Sequence, residues 1–293
     1  MLRNISHKLM RHRAIRRRVE WHLRHFRYDM HETVNGVRFT LPSLYGVSNY
    51  FSEPWMMTLL SRLVAAESGI FVDVGANVGQ TLLKLRALSP DRQYVGFEPN
   101  PVCVQYLNEF VRANSLRSCQ IFPVGLATCN AVLELDFYSD DRSDSSASII
   151  KGFRPEGEVR SSALIPVFRY EHLRPYITPG KVSVLKIDVE GAELEVLQST
   201  HRLLDEDRPY VLIEILPAYS VDNRERVDRQ TAIEKLAELA RYSVFRILKD
   251  DSNEFSQAVA IEEIGIHSDL QLCDYVLVPH EKRDGFQAML QMQ

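Results

Sequence analysis

The chain has four cysteines in 293 residues, and Cys103, Cys119, Cys129 and Cys273 show no Cys-x-x-Cys or other metal-type spacing. Their isolation excludes a zinc knuckle and a disulfide scaffold, and reads as buried or free thiols in a reducing compartment. Long apolar runs are also missing. None approaches the roughly 20 residues of a membrane span, and the N-terminus has no apolar core of a secretion signal. Glycine is scarce where two common nucleotide motifs need it. In Gly75-Ala76-Asn77-Val78-Gly79-Gln80-Thr81, a dinucleotide fingerprint requires glycine at Asn77 and Gln80. A phosphate loop requires lysine directly after its last glycine, and Lys84 comes too late.

What is present there is a strand running through two glycines into a helix. Phe71-Val72-Asp73-Val74 is a short apolar run bounded by turn residues, as in a central parallel strand; Val78, Leu82, Leu85 and Leu88 follow at helical spacing. Gly75 and Gly79 flank the crossing, where bare backbone and helix N–H groups are expected to meet a polar or anionic ligand. Asp73 stands two residues before the first glycine, and Glu98-Pro99 closes the next apolar run, Tyr94-Val95-Gly96-Phe97. A carboxylate at that strand end can accept both hydroxyl hydrogens of a ribose. Two acids and no phosphate-binding cation suit S-adenosylmethionine, a ribose carrying a cationic sulfonium.

Length and composition, 45% hydrophobic and 25% charged, fit one sizeable α/β domain with additions, or at most two domains. Expected strands at 70–74, 94–98 and 119–123 alternate with helices at about 78–88 and 101–114, which implies parallel pairing. Ahead of them lie a hairpin around Asn35-Gly36 and a helix from Pro54 to Ala66. Two alternating runs, 132–138 and 161–168, follow, joined by a serine-rich stretch, Ser139 to Ser148, that reads as a mobile loop. The rhythm resumes with strands at 182–188 and 210–214 around a helix at 192–204, then a helix at 228–240 and strands at 243–248 and 274–278. The resulting division is a basic segment at 1–32, a hairpin and helix at 33–69, a catalytic domain at 70–280 and a tail at 281–293.

Acids recur at the strand ends of the second half. Leu185-Lys186-Ile187-Asp188-Val189-Glu190-Gly191-Ala192-Glu193 carries apolar residues straight into a cluster of carboxylates, and Glu214 ends Val211-Leu212-Ile213 in the same way. Such groups are costly in a dry core, so they are expected to face a cleft. Asp188 is the candidate base or hydroxyl orienter, with Glu190 second and Glu214 beside it. Lys186 is placed to neutralise the cluster, and Glu193 reads as a carboxylate at a helix N-terminus. The lesser alternative is a divalent cation such as Mg2+ held by Asp188 and Glu214.

Taken in order across residues 70–215, these motifs resemble the FkbM family of S-adenosylmethionine-dependent methyltransferases. The resemblance rests on Phe71 to Gly79, Gly96-Phe97-Glu98-Pro99, the serines from Ser143 to Ser148, the block Leu185 to Glu193, and Ile213-Glu214. It implies a Rossmann-like, seven-stranded class I methyltransferase sheet with helices on both faces, and O-methylation of a sugar, glycolipid or natural-product hydroxyl. Cofactor contacts are then expected from Asp73, Gly75, Ala76, Asn77, Gly79, Glu98 and Pro99. One departure is Tyr170-Glu171-His172, where the family often has Leu-Asp.

The basic leader lies outside that resemblance. Residues 1–27 hold nine Lys/Arg against Glu20 alone, a charge of +8, and the remainder carries −12 of the total −4. Ile15, Val19, Leu23 and Phe26 share one face of a helix there. Packing on the acidic body is the first reading, peripheral contact with an anionic membrane the second, and nucleic acid the least favoured. The expected location is cytoplasmic, at most peripheral to the inner membrane face. A rival reading keeps the cofactor fold as a non-catalytic binding module acting through this leader. Acceptor identity and oligomeric state do not follow from the residues.

Overall fold

The structure, a computed structural model, describes residues 28–44, 46–140, 143–152 and 158–291. The basic amphipathic helix expected at the N-terminus lies outside the described residues. The chain enters with β1 (Tyr28–Val34), β2 (Val37–Leu44) and β3 (Val47–Ser48), an antiparallel meander whose first turn is Asn35-Gly36, both at positive φ. Strand pairing therefore begins at Tyr28, inside the segment assigned to the leader. Next come α1 (Pro54–Ala66), β4 (Ile70–Val74), α2 (Gln80–Leu88), β5 (Tyr94–Phe97), α3 (Pro101–Ala113) and β6 (Cys119–Phe122). Both α1 and α3 start on a proline, whose missing N–H costs nothing there, and Asn100 caps α3 by accepting from Val102 N at 3.0 Å.

A small sheet follows, β7 (Gly125–Leu126), β8 (Ala131–Phe137) and β9 (Ser161–Phe168), ordered β7-β9-β8 with its own core of Ala127, Leu135, Ile165 and Val167. After α4 (Tyr170–Leu173) the main sheet resumes with β10 (Val182–Ile187), α5 (Glu193–Ser199), α6 (His201–Glu206), β11 (Tyr210–Glu214), α7 (Arg224–Leu239), β12 (Tyr242–Lys249), β13 (Phe255–Ile261), β14 (Asp274–Pro279) and α8 (Arg283–Gln291). The single helix expected at 192–204 is broken at Thr200, whose hydroxyl bonds back to Val196 O at 2.8 Å and competes with the helical ladder.

The large sheet runs β13-β12-β14-β11-β10-β4-β5-β6. Parallel pairing holds from β6 to β11, while β14 is inserted antiparallel between β11 and β12. Seven strands were expected and eight are present. The extra one, β13, pairs antiparallel on the edge, and Ser256-Gln257 followed by Ala258 to Ile261 break the alternation that would betray a half-exposed strand. Residues 281–293 were expected as a tail, yet α8 buries Phe286 completely and Met289 nearly so.

Strand alternation divides the core. Phe71, Tyr94, Val184 and Leu212 point to the face covered by α1, α2, α3 and α8. Val72, Val95, Leu185 and Ile213 point to the opposite face, with Val196, Leu203 and Ile233 of α5, α6 and α7. Helices on both faces are thus observed as expected, and each fully buried Leu or Phe contributes about 2 kcal/mol. This sandwich fixes the carboxyl ends of β4, β5, β10 and β11 along one rim, and the small sheet rises beside it.

Candidate active site

The glycine turn is shaped by chain packing. A Cβ on Gly75 (φ +83°) would lie 1.8 Å from the carbonyl oxygen of Asp188, and one on Gly79 (φ +82°) would meet Leu107 at 2.8 Å. The turn amides are also committed within the protein. Gly75 N and Ala76 N donate to Phe97 O at 2.9 and 3.1 Å, Gly79 N to Ala76 O at 2.8 Å, and Asn77 N to Glu98 Oε2 at 2.7 Å. The expectation of a polar or anionic ligand on bare backbone therefore does not extend to these four amides, while Gln80 and Thr81 at the start of α2 border the cleft. Gly79 itself does not line the cleft that opens above this turn.

That cleft, about 320 Å³, is bordered by Gly75, Ala76, Asn77, Glu98 and Pro99 on one side and by Asp188, Glu190 and Glu214 on the other. Glu98 is only 6% exposed; Asn100 N donates to Oε1 at 2.8 Å and Asn77 N to Oε2. Burial pushes its carboxyl up to about 7, against the pull of the two amides. Each oxygen keeps a lone pair for a ligand hydroxyl. Leu126, Leu135, Ala147 and Ile149 supply an apolar wall from the small sheet and its loop. The described part of that loop is a hydrogen-bonded turn. Asp144 accepts from Tyr138 N, Ser139 N and Ser146 N at 2.7 to 3.0 Å.

Asp73 departs from expectation. β4 runs one residue past it, so its carboxylate is 0% exposed beneath the cleft and does not border it. Tyr94 donates its hydroxyl to Asp73 Oδ2 at 2.8 Å, and Lys186 Nζ lies 3.6 Å from Oδ1. The same ammonium is 3.0 Å from Asp188 Oδ2. Burial raises the Asp73 carboxyl, and the more distant Lys186 and Tyr94 only partly oppose this. Burial acts on Asp188 too, but the nearer Lys186 and a hydrogen bond from Glu214 hold it below the usual carboxylate range. Glu214 is driven strongly upward by burial and then by the Asp188 charge. The Lys186 ammonium thus favours the charged form of Asp188 more than that of Asp73, while burial beside the Asp188 charge favours the protonated form of Glu214.

Asp188 follows the last residue of β10, Glu214 ends the neighbouring β11, and Glu190 enters from the turn at φ +53°. Carboxylate oxygens of these three lie within 4.8 Å of one another, so the third acid missing from the sequence-based metal reading exists. They are the residues able to hold a divalent cation, in competition with Lys186 and the Glu214 proton.

The model of the methyltransferase FkbM domain matches residues 73–257. The chain belongs to the FkbM methyltransferase family. Methyltransferase sdnD of Sordaria araneosa is 28% identical over 151 residues, 43% of this chain and 58% of its own length. Methyltransferase 1 of Beauveria bassiana is 24% identical over 146 residues, 45% of this chain and 58% of its own. The chain thus spans 58% of the length of these curated relatives. The crystal structure of methyltransferase FkbM from Methylobacillus flagellatus superposes with a TM-score of 0.45 at 15% identity, covering 72% of this chain and 43% of that one.

Within the FkbM domain, then, eight of the ten sequence-nominated residues border the cleft: Asp188, Glu190, Glu214, Gly75, Ala76, Asn77, Glu98 and Pro99. Asp73 and Gly79 support it from below and behind. Sequence reasoning missed Asn100, Leu126 and Leu135, which carry no motif, and also Tyr50, Ser52 and Glu53 from ahead of the matched domain. The one sequence signal for Glu53 was its place before Pro54, where a helix starts. Among the described residues no helix is long and apolar enough to cross a membrane.

Proposed function

We propose that this chain binds S-adenosylmethionine along Glu98 and transfers its methyl group to a hydroxyl of a sugar, glycolipid or natural product set beside Asp188. The observation that carries the reading is Glu98: a carboxylate fixed by two backbone amides at a strand end, facing a cleft where the amides of Gly75, Ala76, Asn77 and Gly79 are already committed. A diol suits that arrangement and a phosphate does not. The cofactor, when bound, supplies a methyl group on a sulfonium, activated toward an incoming oxygen.

The chain's own groups do the rest. Asp188, ionised beside Lys186, accepts the hydrogen of the acceptor hydroxyl and orients its lone pair; Glu214 holds Asp188 in place through its proton. Leu126, Leu135 and Val189 exclude water from the cleft, which strengthens these contacts. The reading is tested by calorimetry with S-adenosylhomocysteine and by transfer of tritiated methyl from S-adenosylmethionine. Glu98→Ala is expected to weaken the first by about tenfold or more, since a charge-assisted hydrogen bond contributes about 1.5–3 kcal/mol. Asp188→Asn is expected to lower the second about 100-fold while leaving the first intact. No binding by the wild type, or wild-type transfer by Asp188→Asn, refutes the assignment.

A further inference from the structure

Glu53 is an acid held in a strained conformation on the cleft wall. It adopts φ 48°, ψ 65°, the left-handed region, as a non-glycine residue directly before Pro54, where sterics oppose it further. The surroundings over-determine it. Met56 N donates to Glu53 O at 3.0 Å, and Trp55 N donates to Asn253 O at 3.1 Å with the Trp55 side chain 1% exposed. The preceding residues are pinned to the cofactor side of the domain. Asn49 N donates to the Tyr106 hydroxyl at 2.7 Å, and Asn49 Nδ2 to Val78 O of the glycine turn at 2.9 Å.

This bracing fixes the carboxylate. Its Oε2 accepts from Lys84 Nζ at 3.2 Å, and that lysine is 0% exposed, yet the Glu53 side chain keeps 39% exposure and borders the cleft. Ser52 Oγ, on the same wall, is buried with no hydrogen-bond partner among the described residues. Against its burial, the Lys186 ammonium is held charged by Asp188, Asp73 and Glu53, so Glu53 acts electrostatically on the centre where the acceptor hydroxyl is placed.

We propose that Glu53 is a specificity-determining residue that accepts a hydrogen bond from a second hydroxyl of a neutral, polyhydroxylated acceptor, with Ser52 beside it. The inference rests on the methyltransferase reading above. Lys84 orients Oε2 and leaves Oε1 for the acceptor, while Asp188 takes the hydroxyl to be methylated. Glu53 precedes the matched FkbM domain, so the N-terminal segment contributes acceptor selection to the domain that carries the cofactor site.

The test uses the full chain, tritiated S-adenosylmethionine and a set of neutral methyl hexopyranosides and methyl 6-deoxyhexopyranosides. Wild type is expected to methylate at least one. Glu53→Gln should raise KM for that glycoside several-fold. The double variant Glu53→Ala with Lys84→Met, which leaves no unpaired buried ammonium, should raise it about tenfold or more with S-adenosylhomocysteine affinity unchanged. A merely structural ion pair predicts recovery of KM in the double variant, and that recovery overturns the proposal. So does failure of the wild type to methylate any neutral glycoside while it binds S-adenosylhomocysteine. Failure of that binding instead sinks the parent reading.

Discussion

Gly75 and Asp188 touch backbone to backbone: the space a side chain on Gly75 would take is filled by the Asp188 carbonyl, 1.8 Å from an ideal Cβ. The contact joins the turn after β4 to the end of β10, the two strand ends that flank the cleft, so one glycine sets the distance between cofactor turn and candidate base. Gly75→Ala is expected to destabilise the fold by about 2–5 kcal/mol, through overpacking against backbone and the cost of positive φ. Gly36→Ala is the control. It shares a positive φ of 77° with nothing within 4 Å, and should cost only about 1–2 kcal/mol. Urea melts of both variants check this; equal losses would mean that the contact with Asp188 yields.

How much was legible beforehand depends on whether a residue's role was local. The strand-turn-helix at Gly75 and the acids after β10 and at the end of β11 were readable because each is written in a few consecutive residues. Asp73 was misplaced although the strand bounds were right, because a residue one short of a strand's end can face the cleft or the sheet interior, and spacing does not tell which. Its tolerance of complete burial depends on Tyr94 and Lys186, supplied by the two neighbouring strands. Strand β13 and helix α8 escaped for another reason. Their stability comes from pairing with β12 and from packing Phe286 against Phe245 at 5.0 Å, contacts that local periodicity does not encode. Glu53 was invisible because its partner, Lys84, lies on a different helix.

Two buried glutamates predict an inverted pH dependence of stability. Glu98 and Glu193 are both pushed from 4.5 up to about 7, first by burial, with backbone hydrogen bonds opposing. Between those values the native state holds protons the unfolded chain has released, so the contribution of these two groups to stability is full below pH 4.5 and is lost as pH rises through about 7. Each group accounts for at most about 3 kcal/mol. Glu193 Oε1 accepts from Gly191 N at 2.7 Å, a bond an amide oxygen can replace. Glu193→Gln should therefore gain on wild type as pH rises from 5 to 8 in urea titrations. Parallel profiles would contradict the assignment.

Metal dependence is decided by what already balances the carboxylates. Asp188 is paired with Lys186 at 3.0 Å and receives the Glu214 proton, so a divalent cation would have to displace both before gaining its ligands. Exhaustive chelation followed by desalting is expected to leave methyl transfer within about twofold of its starting value. Loss of activity restored by Mg2+ alone would show that Asp188, Glu190 and Glu214 close around an ion instead.

The deepest dependence in the site is that of Asp73 on Lys186. Both are buried, at 0% and 5% exposure, and Tyr94 supplies only one hydrogen bond to a carboxylate that has two oxygens. Removing the ammonium with Lys186→Met leaves Asp73 uncompensated and is expected to cost about 3–5 kcal/mol, whereas pairing it with Asp73→Asn removes the stranded charge. If the ion pair governs folding, the double variant recovers most of that loss in urea melts, giving a coupling energy of about 2 kcal/mol or more. Function should not recover with it. Asp188 would still lack the cation that keeps it ionised, so the acid limb of the transfer reaction's pH profile should move to higher pH in both variants. Additive losses in the melts would mean that Lys186 serves Asp188 alone and that Asp73 is held by Tyr94.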